Sequence, residues 1–182
     1  MENKRSTIID LLNSSVEKYA KNPFLWEKLT TEFTPTTYLE TRTQAQEIAA
    51  GLLSLGVKNG EKIALLSEGR NAWIISELGI LYTGAANVPL SIKLEESNDL
   101  VFRIVHSESK IVFVSGGQLK KIRTIAALLP DVWHVVVLDD QPAYDDREMP
   151  LSQLVKLGKE FLLKNPDAVT ERSKTIDPDD LA

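Results

Sequence analysis

The chain has 182 residues, 43% of them apolar and 26% charged, which is enough to build the core of one compact domain. A net charge of -5 argues against a nucleic-acid partner, and the lack of cysteine excludes disulfides, a catalytic thiol and thiolate metal sites. The apolar stretch from Ile8 to Leu12 is too short for a signal peptide or a spanning helix. The expected location is therefore cytoplasmic, with peripheral contact to a membrane allowed.

An amphipathic helix is expected from Thr7 to Ala20, with Ile8, Leu12, Val16 and Tyr19 on one face. Asn22-Pro23 stops it, because the residue before proline is pushed out of the helical region. Phe24–Lys28 and Glu32–Thr34 are short β-prone runs around Thr30-Thr31 and predict a small hairpin. Thr37 and Glu40 have the spacing of a capping box, opening a helix that buries Ala45, Ile48, Ala49, Leu52 and Leu53 and ends at Gly56.

From there strand and helix alternate. Lys62–Leu66 is a continuous apolar run, as expected of a strand covered on both faces. Asn71 can cap a helix to Tyr82 that buries Ile74, Ile75, Leu78 and Leu81, with Gly84 just beyond it. Ala86–Leu90 is the second strand, and a helix from Glu95 to Ser107 buries Leu100, Val101, Ile104 and Val105. Ile111–Val114 is the third strand, Gly116-Gly117 leads into a helix carrying Leu119, Ile122 and Ala126, and Val135–Leu138 is the fourth strand.

Residues 139–149 are strongly acidic and predict an exposed loop with no place in the sheet, followed by a helix from Leu151 to Leu163 and a polar tail from Asn165. The fold class is α/β: a Rossmann-like parallel sheet covered by helices, with a small N-terminal hairpin. The expected division is 1–36 for the first helix and hairpin, 37–138 for the βα repeats, and 139–182 for the acidic loop, helix and linker.

Few residues offer chemistry. His106 and His134 lack partners at metal-ligand or triad spacing and read as structural, so no catalytic or metal-binding residue is expected. The glycines do not form the dinucleotide fingerprint, and no glycine-rich loop ends in Lys-Ser or Lys-Thr. Trp73 reads as a packing residue. Gly116-Gly117-Gln118-Leu119-Lys120-Lys121-Ile122-Arg123 follows a strand and so lies at the carboxyl edge of the sheet, where ligands tend to bind. Lys120, Lys121 and Arg123 could meet a phosphate there, though a solvated basic helix face is the plainer reading.

Several segments recur in a telling order: Leu55-Gly56-Val57, Lys58-Asn59-Gly60-Glu61-Lys62-Ile63-Ala64, Gly69-Arg70-Asn71-Ala72-Trp73, Gly84-Ala85-Ala86-Asn87-Val88-Pro89-Leu90, and Ser107–Val114. In order and spacing they resemble the N-terminal part of AMP-forming acyl-CoA synthetases, of the adenylate-forming superfamily, and most of all long-chain fatty-acid–CoA ligases. Ser91-Ile92-Lys93 departs from the Tyr-Pro-Thr-like turn that many such enzymes carry.

The resemblance implies that 1–182 is an incomplete N-terminal lobe of an AMP-binding domain. Its parent would use ATP, Mg2+ and CoA to turn a fatty acid into acyl-CoA, AMP and pyrophosphate. The family's phosphate loop and catalytic lysine have no counterpart in these residues, so the piece is expected to be inactive alone and to bind no cofactor strongly. The resemblance also implies that Lys120, Lys121 and Arg123 approach the CoA nucleotide. Its implied partners are the fatty acid and the remainder of the same polypeptide. A non-catalytic binding or scaffold module, or part of an aryl- or amino-acid-activating enzyme, is the alternative.

Overall fold

A computed structural model describes residues 6–28 and 30–182. Met1–Arg5 and Leu29 lie outside the described residues. The first helix, α1 (Ile8–Tyr19), is held by a capping box in which Thr7 and Asp10 exchange hydrogen bonds of 3.0 Å. Its buried stripe is Ile9, Leu12 and Val16, spaced by three and four residues. This corrects the expected face: Ile8 and Tyr19 are about half exposed, because they lie a helical step off the line that packs.

Strands β1 (Pro23–Lys28) and β2 (Phe33–Thr37) form the expected antiparallel hairpin, and β2 runs directly into α2 (Tyr38–Ser54). Thr37 caps α2, accepting from the Glu40 amide at 3.2 Å while Glu40 Oε2 accepts from the Thr37 amide at 2.8 Å. Gly56 then takes φ 89°, a left-handed turn that glycine makes without strain.

The remaining elements are β3 (Lys62–Leu66), α3 (Asn71–Tyr82), β4 (Ala86–Leu90), α4 (Ser97–His106), β5 (Ile111–Val114), α5 (Leu119–Ile125), a 3-10 turn at Ala126–Leu128, β6 (His134–Val137), β7 (Glu148–Pro150), α6 (Leu151–Lys164) and α7 (Ala168–Ser173). Strands β3 to β7 form one parallel sheet in the order β4-β3-β5-β6-β7. Alternate residues of each strand enter opposite cores. Ile63, Leu65, Ile111 and Phe113 face the layer of α1, α2, α3, α6 and α7. Ala64, Leu66, Val112 and Val114 face that of α4 and α5.

Four further expectations are corrected. Asn71 does not cap α3. Arg70 occupies the cap position without a side-chain cap bond, and Asn71 Nδ2 donates to Thr36 Oγ1 at 3.3 Å, tying α3 to the hairpin. On α4 only Leu100 and Ile104 are buried, and Val105 is about half exposed, because this short helix meets the sheet along one narrow line.

The acidic segment is not wholly a loop. Glu148–Pro150 pairs with Val135–Val137 as β7, and Met149 is buried in the sheet. The polar tail contains α7, whose Val169 is buried and whose Arg172 Nη1 donates to Thr83 O at 3.1 Å. In each segment one buried apolar residue is joined by a charged side chain that has a partner, Glu148 on Arg123 and Arg172 on Thr83 O.

Candidate functional site at the carboxyl edge of the sheet

Strand order fixes where a ligand has room. The chain steps outward from β3 to β4, then crosses back over β3 to β5 and continues outward through β6 to β7. The connections therefore diverge between β3 and β5, and the crevice outside their carboxyl ends is the switch point of an open α/β sheet. It is bounded by Ser67-Glu68-Gly69-Arg70 after β3 and Ser115-Gly116-Gly117-Gln118 after β5.

Polar groups in the crevice bind one another. Gln118 Nε2 donates to Glu68 Oε1 at 2.6 Å. The Ser115 hydroxyl and the Gln118 amide beside it hold the Glu68 carboxyl below its usual range, although Ser115 Oγ itself makes no hydrogen bond of standard geometry. Arg70 Nη1 donates to Asp139 Oδ1 at 2.6 Å, and the Gly116 amide donates to Asp139 Oδ2 at 2.7 Å. A Cβ at Gly116 would displace the flexible end of Gln141 and press on Asp139, so glycine leaves this carboxylate room beside the backbone. The ends of β3, β5 and β6 are thus joined through one acid. Neither Glu68 nor Asp139 stands out in the sequence, because their partners come from distant segments.

The three basic residues after β5 do not converge. Lys120 is exposed, and its ammonium has no hydrogen-bond or ion-pair partner among the described residues. Lys121 turns inward, and its Nζ donates to Ile92 O at 2.7 Å, Leu94 O at 3.0 Å and Glu95 Oε1 at 3.1 Å. Arg123, further along α5, donates from Nε and Nη2 to the two Glu148 oxygens at 2.9 and 2.7 Å and from Nη2 to Ala143 O at 3.0 Å. That bidentate bond raises the Arg123 pKa and lowers that of Glu148. Of these three, only Lys120 has an uncommitted charge among the described residues.

The histidines take structural places. His106 stacks on Phe102 with ring centroids 5.1 Å apart, and His134 is half-buried at the start of β6, where burial lowers its pKa. Trp73 packs against the helical core as expected. Among the described residues, no group of three His, Asp or Glu side chains is placed to hold a metal ion, and no helix is long and apolar enough to cross a membrane.

A family model described as "AMP-binding enzyme" matches residues 12–182. The chain belongs to the AMP-binding enzyme family. Among this family member's relatives is a chloroplast long-chain-fatty-acid–[acyl-carrier-protein] ligase of Arabidopsis thaliana, 33% identical over 109 residues that cover 60% of this chain and 15% of that protein. Another is a methyl-dioxo-octahydro-indenyl-propanoyl:CoA ligase of Mycobacterium tuberculosis, 29% identical over 154 residues, covering 80% of this chain and 28% of that protein. The solved structure of an anthranilate CoA ligase with anthranoyl-AMP superposes with a TM-score of 0.74 at 22% identity, over 84% of this chain and 28% of that one, and shows the shared fold. The chain thus spans well under a third of the length of each of these proteins.

Proposed function

We propose that this chain is the N-terminal lobe of the adenylating domain of an acid–thiol ligase, and that the parent enzyme is a long-chain fatty-acid–CoA ligase. The observation that carries the reading is the family match over residues 12–182, supported by the order of the motifs from Leu55 to Val114. The parent would couple a fatty acid to CoA through an acyl-adenylate, with ATP and Mg2+ supplying the phosphate chemistry. Among the described residues no acidic cluster is placed for Mg2+, and the sequence holds no glycine-rich phosphate loop, so neither step is assigned to them.

What this lobe contributes is a scaffold and one wall for the thiol substrate. Lys120 stands at the carboxyl edge with its charge uncommitted, which fits a CoA phosphate. Arg123 lies on the same helix, but its guanidinium is committed to Glu148, so it would reach a CoA phosphate only by leaving that partner. Lys121 belongs to the same edge through the turn that it binds. The remainder of the same polypeptide would supply the rest of the site.

The test is turnover. Incubated with a long-chain fatty acid, ATP, Mg2+ and CoA, the 182-residue chain releases no pyrophosphate, whereas the same chain continued to the length of its relatives does; turnover by the chain alone would overturn the division of labour. The Mycobacterium tuberculosis relative joins a ring-bearing acid to CoA, which makes a cyclic or aryl acid the second reading. A panel of straight-chain and ring-bearing acids separates the two, and CoA set against acyl carrier protein identifies the acceptor.

A further inference from the structure

We propose that Lys121 is a positioning residue for this edge: its ammonium holds the turn between β4 and α4 in place as the wall beside Lys120. The inference rests on the reading that the edge meets the CoA nucleotide. Lysine carries three N–H donors, and here they reach Ile92 O, Leu94 O and Glu95 Oε1. The two carbonyls belong to a turn whose other hydrogen bonds are local, Lys93 N to Ser91 Oγ at 3.2 Å and Leu94 N to Ser91 O at 3.2 Å, while the Ile92 and Leu94 side chains pack on the core below. The helix that carries Lys121 is fixed, because Leu119, Ile122 and Ile125 are buried in the core beneath it. A rigid element therefore pins the backbone of a turn whose side chains rest on the core but whose own hydrogen bonds are short-range.

Among the other cations that bind distant backbone carbonyls, Arg147 and Arg172 mark the contrast. Arg147 Nη1 donates to Leu129 O at 2.8 Å, and Arg172 Nη1 to Thr83 O at 3.1 Å. Both lie at the amino edge of the sheet, away from the crevice. Lys121 is the counterpart on the ligand side. Adjacent lysines thus divide the work. Lys120 offers charge to a phosphate, and Lys121, a helical step of about 100° around, spends its charge on the wall. Without that brace the turn is ordered only when the nucleotide binds, and that ordering lowers affinity.

The test is a CoA titration of the chain continued to the length of its relatives, at two salt concentrations, with adenosine 3′,5′-bisphosphate as competitor and amide exchange read at Ile92–Glu95. Lys121→Met is expected to speed exchange in that turn and weaken CoA about tenfold while leaving the salt dependence unchanged. Lys121→Arg, which keeps donors in reach, is expected to restore both. Lys120→Met is expected to weaken binding and flatten the salt dependence without altering exchange at the turn. Lys121→Met that leaves CoA affinity unchanged, or flattens the salt dependence as Lys120→Met does, overturns the positioning role. Absence of saturable CoA binding by the unmodified full-length protein overturns the nucleotide reading and this inference with it, while the exchange data still report whether the brace exists.

Discussion

Arg70 and Asp139 meet at 2.6 Å across 69 residues of sequence, and the second oxygen of the same carboxylate holds the Gly116 amide. Arg70 Nε also lies 3.9 Å from Glu27 Oε1, so one guanidinium links the hairpin to the ends of three strands. The pair is part-buried, with side chains 29% and 33% exposed, which places it between a weak surface ion pair and a costly buried one. A double-mutant cycle on Arg70→Met and Asp139→Asn is expected to give a coupling energy of about 1 kcal/mol in denaturant unfolding. Additive effects would show that the two side chains are neighbours without being partners.

Helices α2 and α6 touch through glycine. A Cβ at Gly158 would overlap the Glu47 carbonyl, and one at Gly51 would overlap the Leu154 carbonyl. Both obstacles are backbone, so neither can swing aside. Gly158→Ala is expected to cost about 1–3 kcal/mol. Thermal unfolding reads this as a fall of several degrees, since each kcal/mol moves Tm by about 2–4 °C in a domain of this size. The double variant with Gly51→Ala should cost less than the sum, because one displacement of α6 relieves both overlaps. An unchanged Tm would mean that the helices do not approach this closely.

These two relationships show where the sequence is readable. The strands Lys62–Leu66 and Ile111–Val114 and the Thr37–Glu40 box are visible because their signals are local: an apolar run, or a cap and its partner three residues apart. The switch-point crevice follows only from strand order, which no single segment encodes. Strand β7 is three residues long within an acidic stretch, and α7 lies in a polar tail, so neither has enough period to announce itself. At the edge, a basic run is visible, but the inward turn of Lys121 depends on carbonyls 27 and 29 residues away.

Stability should fall in acid in two steps. Burial lowers the His134 pKa, so its neutral form is favoured in the fold, and that stability is lost as pH falls below the ordinary histidine value of about 6.5. Arg123 lowers the Glu148 pKa, so that contribution is present above the ordinary glutamate value of about 4.3 and is lost as pH falls through the folded one. Urea midpoints measured from pH 7 to 3 should fall for the unmodified chain, and below about pH 5 the fall should be shallower for Glu148→Gln. Parallel curves for the two proteins would remove Glu148 from the acid response.

The cap at the start of α2 has a measurable weight. Thr37→Ala removes the hydroxyl that accepts from the Glu40 amide and is expected to cost about 1 kcal/mol, as N-cap replacements usually do. Thr37→Ser should retain most of it. Equal losses from the two substitutions would assign the effect to packing of the threonine methyl instead.

The central claim is that this lobe serves the thiol half of the reaction and leaves adenylation to other parts of the enzyme. The most direct test measures two half-reactions in the chain continued to the length of its relatives: fatty-acid-dependent ATP–pyrophosphate exchange without CoA, and acyl-CoA formation as CoA is varied. Lys120→Met is expected to leave exchange unchanged and raise the KM for CoA by about tenfold, the scale of one lost charged contact. Loss of exchange, or an unchanged KM for CoA, would contradict the account.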